Sequence, residues 1–297
     1  MKHRKLYYLI HPTIGWKALR TKLSDKYALT SAFKKFYGYD IDWANPQTFS
    51  EKLQWLKLYD RKSIYTNLVD KYECKKIVAK IIGNKYIIPT LGVWNRFDEI
   101  DFTKLPNQFV LKCTHDSGSV VICKDKSTFD IESAKFVLER GLKTDFYQIS
   151  REWPYKNVQR RIIAEQFIAD ENTTLKDYKF FCFGGVPEIM YISNDGAKLK
   201  TDEITTTDFF DMDFKHLPLR MNDANSPIVP TKPQEFEEMK SIASTLSQGI
   251  PFVRIDLYAT SKGVFFGEYT FYHNGGYFKI HPYEYDKKLG GLILLPR

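Results

Sequence analysis

Asp256 and Glu268 lie in the segment FVRIDLYATSKGVFFGEYTF (252–271), which reads as two apolar strands joined at Ser261-Lys262-Gly263. With those three residues as the loop, Asp256 pairs with Glu268 and Arg254 pairs with Thr270. Side chains alternate faces along a strand, so these four share one face, and Val253, Ile255 and Leu257 line the other. Two neighbouring carboxylates repel each other and need a counter-charge. A divalent cation with oxygen ligands is one source, since magnesium typically takes one or two carboxylates plus phosphate oxygens. The other source is Lys and Arg neighbours on a solvated face.

Lys112 ends an apolar strand just before a polar loop, His115-Asp116-Ser117-Gly118-Ser119. Such a loop can aim backbone N–H groups at phosphate oxygens, with the lysine as a point charge. It is not the G-x-x-x-x-G-K-[ST] phosphate loop. Taken alone it also reads as a hairpin turn beside a surface lysine. Asp211-Met212-Asp213 is a D-x-D between aromatic residues, a pattern that holds metal in many nucleotide-sugar glycosyltransferases. It falls in a polar stretch and reads as a surface turn, with a glycosyltransferase as the alternative enzyme. His115 reads as a loop residue, and His273 and His281, which flank the Gly275-Gly276 turn, read as exposed loop histidines with contact to an acceptor substrate as the alternative. Leu53, Trp55 and Leu56 read as helix packing.

The elements that must position these residues change character along the chain. Residues 1–105 read as mostly helical. Thr48-Phe49-Ser50-Glu51 has capping-box spacing, Asp70 precedes a second helix that stops at Gly83, and Pro89 with 97–101 reads as a connector. From Pro106 strands dominate: QFVLKC, VVICKDK, RRIIAEQFI (160–168), DYKFFCF (177–183) and PEIMYIS (187–193), the last two joined by Gly184-Gly185. A helix is expected near 131–143, a polar insertion at 194–233, and a helix ending at Gly249 before the Asp256 hairpin. The expected division is a helical region (1–105), a small subdomain with the phosphate loop (106–164) and a C-terminal subdomain with the metal site (165–297).

The chain has 297 residues, 43% of them hydrophobic and 15% aromatic, which supports a real core and excludes a disordered composition. The formal charge of +8 favours anionic partners. A basic polyanion-binding protein is therefore the non-enzyme alternative, although no nucleic-acid module is recognisable and nucleic acid is not expected as a partner. No apolar run approaches the ~18 residues a bilayer crossing needs. The basic N-terminus lacks a signal-peptide apolar region and is compatible with peripheral contact with the inner face of a membrane. Cys74, Cys113, Cys123 and Cys182 have no CxxC spacing and read as buried free thiols, which suits a cytoplasmic location.

The ordered set EKLQWLKLYDR (51–61), LVDKY (68–72), FVLKCTHDSGS (109–119), AEQFI (164–168), DYKFFCF (177–183), PFVRIDLY (251–258) and FGEYTF (266–271) resembles the ATP-grasp superfamily. The match is closer to its TupA-like (teichuronopeptide-biosynthesis-like) branch, associated with capsule and surface-polysaccharide enzymes. The resemblance implies an α+β ATP-grasp fold in which two subdomains clasp ATP. It implies that Lys112 and Lys179 contact phosphates, that Ser117, Gly118 and Ser119 form the closing loop, and that Glu165, Gln166, Phe167 and Ile168 flank the adenine. Asp256 and Glu268 would hold magnesium, with Thr270 where many relatives have Asn, and Arg254 would neutralise the transferred phosphoryl group. The implied reaction is ligation through an acylphosphate, joining an amino acid to a sugar or polysaccharide precursor. Phosphate transfer is an alternative outcome on the same scaffold.

Overall fold

A computed structural model describes residues 24–168, 175–193 and 206–296. Local signals set the N-terminal helices. Helix α1 (Asp25–Tyr37) begins at Ser24, whose hydroxyl accepts from the Tyr27 N–H, and ends at left-handed Gly38. Helix α2 (Phe49–Tyr59) opens on the expected capping box: Thr48 accepts from the Glu51 N–H, and the Glu51 carboxylate accepts from the Thr48 N–H. Helix α3 (Ile64–Val69) follows. Asp70 then accepts from the N–H groups of Tyr72 and Glu73 and so starts α4 (Glu73–Ile82), which Gly83 stops.

Strand β1 (Thr90–Trp94) corrects the connector reading of this stretch. It is an edge strand, exposed at Thr90 and Leu91 and half-buried beyond, with Gly92 at its centre, so it carries no apolar alternation. Next come β2 (Phe109–Cys113), β3 (Val120–Cys123), α5 (Ile131–Lys143), the single turn α6 (Tyr147–Ser150) and β4 (Ile162–Gln166). The four strands form an antiparallel sheet in the order β1-β4-β2-β3. Phe109, Leu111, Cys113, Ile162 and Ala164 point into a small core closed by Ala134 and Leu138 of α5. By the period of two, Lys112 and Glu165 lie on the opposite face.

The larger sheet holds β5 (Asp177–Phe183), β6 (Val186–Ser193) and β7 (Thr207–Asp211). After β8 (Arg220–Met221) and α7 (Phe236–Leu246) it is completed by β9 (Phe252–Thr260) and β10 (Gly263–Thr270), in the order β10-β9-β5-β6-β7. Gly184 and Gly185, both at positive φ, make the tight β5–β6 turn. From residue 206 the expected insertion is instead edge strand β7 and then β8, which pairs with β11 (Ile280–His281); residues 194–205 lie outside the described residues. Phe209 and Phe210 are both buried, one on each face of this edge, which explains why a polar-looking stretch joins a sheet.

The alternation along β5 and β9 sorts the large sheet into two faces. Phe180 and Cys182 meet Phe236 and Ala243 of α7. Lys179, Arg254 and Asp256 occupy the other face, whose apolar end is closed by Phe49 of α2 against Phe181 and Phe252. The last helix, α8 (Glu284–Leu292), anchors α2 there: Asp286 accepts from the Ser50 N–H at 3.0 Å.

A methyl group at Gly290 of α8 would run into the backbone of Gln47, Thr48 and Phe49, whereas Gly291 has open space. Gly290→Ala should therefore destabilise the fold by about 1–3 kcal/mol, and Gly291→Ala should be neutral. Paired thermal melts check this; equal midpoints for the two variants would contradict the docking of α8 on α2.

Candidate active site

The β9–β10 hairpin brings together the four residues the sequence pattern pairs: Glu268 faces Asp256 and Thr270 faces Arg254. The route differs from expectation. Gly263 pairs with Thr260, so the loop has one residue fewer, and a bulge at Gly267 restores the register. Without that bulge Glu268 would turn to the opposite face. A Cβ at Gly267 would sit 3.0 Å from the Asp256 carbonyl oxygen, so glycine gives the bulge its close approach.

Arg254 and Lys179 supply the counter-charge for Asp256. Arg254 binds it through Nε at 2.6 Å and Nη2 at 2.7 Å. The same guanidinium reaches Glu268 at 3.3 Å, the Thr270 hydroxyl at 3.0 Å and His273 Nδ1 at 2.8 Å. Lys179 Nζ lies 2.8 Å from both Asp256 and Asp177. The acids thus pair with Lys and Arg, but on a buried face rather than a solvated one. Asp256 is fully enclosed, while the Glu268 side chain keeps 40% of its exposure. Burial alone would raise Asp256; the charges of Arg254 and Lys179 overcome it and hold the carboxyl below its ordinary value. Burial would likewise lower Lys179, but Asp177 and Asp256 raise it well above 10.5.

The small sheet faces this cluster. Lys112 Nζ lies 2.7 Å from Glu165, and Lys75 of α4 lies 2.6 Å from the other Glu165 oxygen. Burial opposes ionisation of Glu165, yet the two ammonium groups pull it down to about 2. Lys112 also senses the negative charge of Glu268 and Asp177, which places it across the cleft from the large sheet. The Gln166 N–H donates to the Pro89 carbonyl, so the strand exit leading to Phe167 and Ile168 is tied to the entry of β1.

In the loop after β2, only Ser117 and Gly118 are exposed. Thr114, His115 and Asp116 are buried. His115 Nε2 lies 3.2 Å from the Thr144 carbonyl, the Lys71 ammonium donates to the Asp116 carbonyl, and Ser119 donates to the Asp116 carboxylate. The exposed part of the loop is therefore the Ser117-Gly118 tip.

Three functional neighbours escape the sequence reading. Lys75 stands beside Lys76 on a helix, but three residues before Val78 and seven before Ile82 it flanks the apolar face while Lys76 points away, a signal that was available. Asp177 shares a face with Lys179 by the i, i+2 rule, a signal that was available; its Oδ1 is buried and has no hydrogen-bond partner. Burial and the nearby Asp256 and Glu268 raise Asp177 above its ordinary value. His273 is a correction: it is buried, not an exposed loop residue, and burial together with Arg254 pushes its pKa well below 6.5. Arg254 can only donate, so His273 Nδ1 accepts and its proton sits on Nε2. His281, by contrast, is exposed.

Asp211 and Asp213 form the turn that was expected. The Asp211 carboxylate accepts from the N–H groups of Asp213 and Lys215, and β7 is separated from β9 by β5 and β6. All four cysteines are buried free thiols. Among the described residues, no helix is long and apolar enough to cross a membrane.

The family described as TupA-like ATPgrasp matches residues 51–294. The chain belongs to this family. It thereby has the ATP-grasp fold, an α+β architecture. Solved structures with similar folds include the L-amino acid ligase from Bacillus licheniformis (12% identity, TM-score 0.46, covering 85% of this chain and 56% of that one). The D-alanine–D-alanine ligase from Helicobacter pylori has 15% identity and a TM-score of 0.42, covering 83% and 69%. The D-alanine–D-alanine ligase from Bacillus anthracis complexed with ATP has 12% identity and a TM-score of 0.39, covering 68% and 53%. The chain thus spans little more than half the length of the two Bacillus ligases. No curated protein matches it.

The depressed Glu165 pKa gives a signed expectation. Its ion pairs stabilise the fold above the ordinary carboxylate value of 4.5, and that contribution is lost as pH falls towards 2. Glu165→Gln should lose on the order of 3 kcal/mol at neutral pH, and the gap from the parent should narrow steadily between pH 4.5 and 2. Urea unfolding across that range checks it; a gap that does not change with pH would refute the assignment.

Proposed function

We propose that this ATP-grasp protein is a carboxylate–amine ligase that binds ATP between its two sheets and works through an acylphosphate. The observation that carries the reading is that Lys112 on the small sheet faces a large-sheet wall on which Lys179, Asp256 and Glu268 stand side by side. In this reading Lys112, Ser117, Gly118 and Ser119 hold phosphates. Phe167 and Ile168, with the backbone of Glu165 and Gln166, line the adenine. The Glu165 carboxylate serves as the resting partner of Lys112, and Lys75 remains as its counterion when Lys112 turns to phosphate.

Among the described residues no three His, Cys, Asp or Glu side chains form a complete metal cage. The site fits a cation that needs only one or two carboxylates and completes its shell with phosphate and water. Asp256, Glu268 and the Thr270 hydroxyl would hold magnesium, and the buried, unpartnered Asp177 Oδ1 adds a further anionic group beside them. Bound there, magnesium would offset the charge of the triphosphate. Lys179 and Arg254 hold positive charge where negative charge builds up on the transferred phosphoryl group. A substrate carboxylate oxygen then attacks the γ-phosphorus and the bond to the β-phosphate oxygen breaks, releasing ADP. An amine attacks the acyl carbon, loses a proton and expels inorganic phosphate. The Ser117-Gly118 tip would close to keep water from the acylphosphate.

For the substrates we infer an amino acid and a sugar or polysaccharide precursor, in surface-polysaccharide synthesis in the cytoplasm. Support comes from the family to which the chain belongs, the net charge of +8, which suits anionic sugars, and four free thiols. The Asp211 carboxylate is engaged within its own turn, which favours the ligase reading over the glycosyltransferase alternative.

Asp256→Asn and Glu268→Gln should each abolish magnesium-dependent ADP binding while circular dichroism stays that of the parent. Calorimetric titration checks this, and parent-like binding in both variants would remove the metal assignment. Turnover should yield ADP and inorganic phosphate, with hydroxylamine trapping the acyl intermediate as a hydroxamate. A screen of uronic-acid sugars and amino acids by phosphate release and mass spectrometry identifies the pair. A stable phosphorylated product would instead make the protein a phosphotransferase.

A further inference from the structure

The segment after β10 passes through three consecutive left-handed residues, Asn274 (φ 47), Gly275 (φ 62) and Gly276 (φ 71). Non-glycine residues rarely hold such a conformation unless their surroundings fix it. Here the fixing groups come from α2. Gln54 donates to the Gly276 carbonyl at 3.0 Å, and the Lys57 ammonium donates to the Gly275 carbonyl. Lys57 also donates to Gln54 Oε1 at 3.1 Å and to the Ser150 carbonyl at 2.9 Å. Three acceptors use all three protons of an ammonium, so the arrangement requires Lys57 to be charged although it is fully buried.

Burial works against that charge and pushes Lys57 down to about 7, with Glu152 acting in the opposite direction. The rings of Tyr277 and Tyr272, 4.9 and 5.7 Å from Nζ, add favourable contact. Glu152 is itself buried, accepts from the Ser150 hydroxyl, and feels both Glu268 and Arg254. The same short segment carries His273, which meets Arg254 at 2.8 Å, and Arg254 in turn holds Asp256, Glu268 and Thr270.

We propose that Lys57 is a positioning residue: linked to Glu152 through Ser150, it fixes the 273–276 turn, and through His273 it sets the orientation of Arg254 in the active site. Helix α2 is then part of the machinery and not only a cover on the sheet. A buried lysine is an expensive way to hold a carbonyl if packing alone were needed. Its chain of contacts ends on the one guanidinium that touches every proposed metal-side residue. The consequence for turnover rests on the ligase reading; the link from Lys57 to His273 does not.

The test uses the full chain labelled with 15N-histidine. The parent should show His273 as the neutral Nε2–H tautomer with Nδ1 accepting. In Lys57→Met that signature should be lost, and ADP–magnesium affinity should stay within about twofold, because no nucleotide group is removed. With the acceptor pair found in the substrate screen, phosphate release should fall roughly tenfold to a hundredfold, the size expected of a small misplacement. Glu152→Gln keeps the side-chain shape and decides the matter if Lys57→Met does not fold; it should perturb His273 in the same direction. An unchanged His273 signature in a folded variant of either kind would overturn the proposal. Failure of the parent to bind ADP with magnesium would sink the ligase reading instead, and the His273 signature would still decide this inference.

Discussion

A carboxylate taken out of water must have its lost hydration replaced, and Asp256 has it replaced by two cations held on neighbouring strands. Arg254 lies two residues away on β9, and Lys179 is its register partner on β5. Removing either cation would leave a buried charge uncompensated, a loss of several kcal/mol. The rest of the site follows from satisfying this pair. Arg254 reaches on to Glu268, Thr270 and His273, and Lys179 to Asp177. Strand register therefore matters more here than side-chain flexibility.

The small sheet repeats the logic with the same signs. One buried acid, Glu165, is held between Lys112 and Lys75, and these two lysines come from a strand and a helix of different parts of the chain. Each wall of the cleft thus carries a buried acid held by two cations, each locally satisfied. A polyanion entering between them would exchange partners with groups that are already ionised and oriented. That preorganisation is what electrostatic catalysis requires.

The N-terminal helices connect these clusters to the body of the protein. α4 contributes Lys75, while α2 reaches across the sheet end with Phe49 and into the 273–276 turn with Gln54 and Lys57. Both helices pack in the core of the large sheet, whereas α5 closes the separate core of the small one. Motion between the sheets would consequently be felt at Lys75 and Glu165, where the two cores meet.

Much of this was written locally. The Thr48–Glu51 box, the bounds of α5 and β5, the Gly184-Gly185 turn and the facing of Asp256 with Glu268 all depend on signals within about ten residues, or on the period of two along a strand. Those are interactions a sequence displays directly. Tertiary structure decided the rest. Strand β1 exists because β4 offers it an edge, not because TLGVW is a strong strand former. The loop before β10 lost one residue and the Gly267 bulge returned it, a compensation only the paired strand can specify. Lys57, Lys75, Asp177 and His273 read as ordinary residues of helices, strand and loop. Their importance comes from burial beside partners the fold brings together, as Lys75 with Glu165, 90 residues apart in the chain, shows. Helical spacing can put a lysine such as Lys75 on the flank of an apolar face, but which acid replaces its lost water is fixed only when the two sheets and the helices close around it.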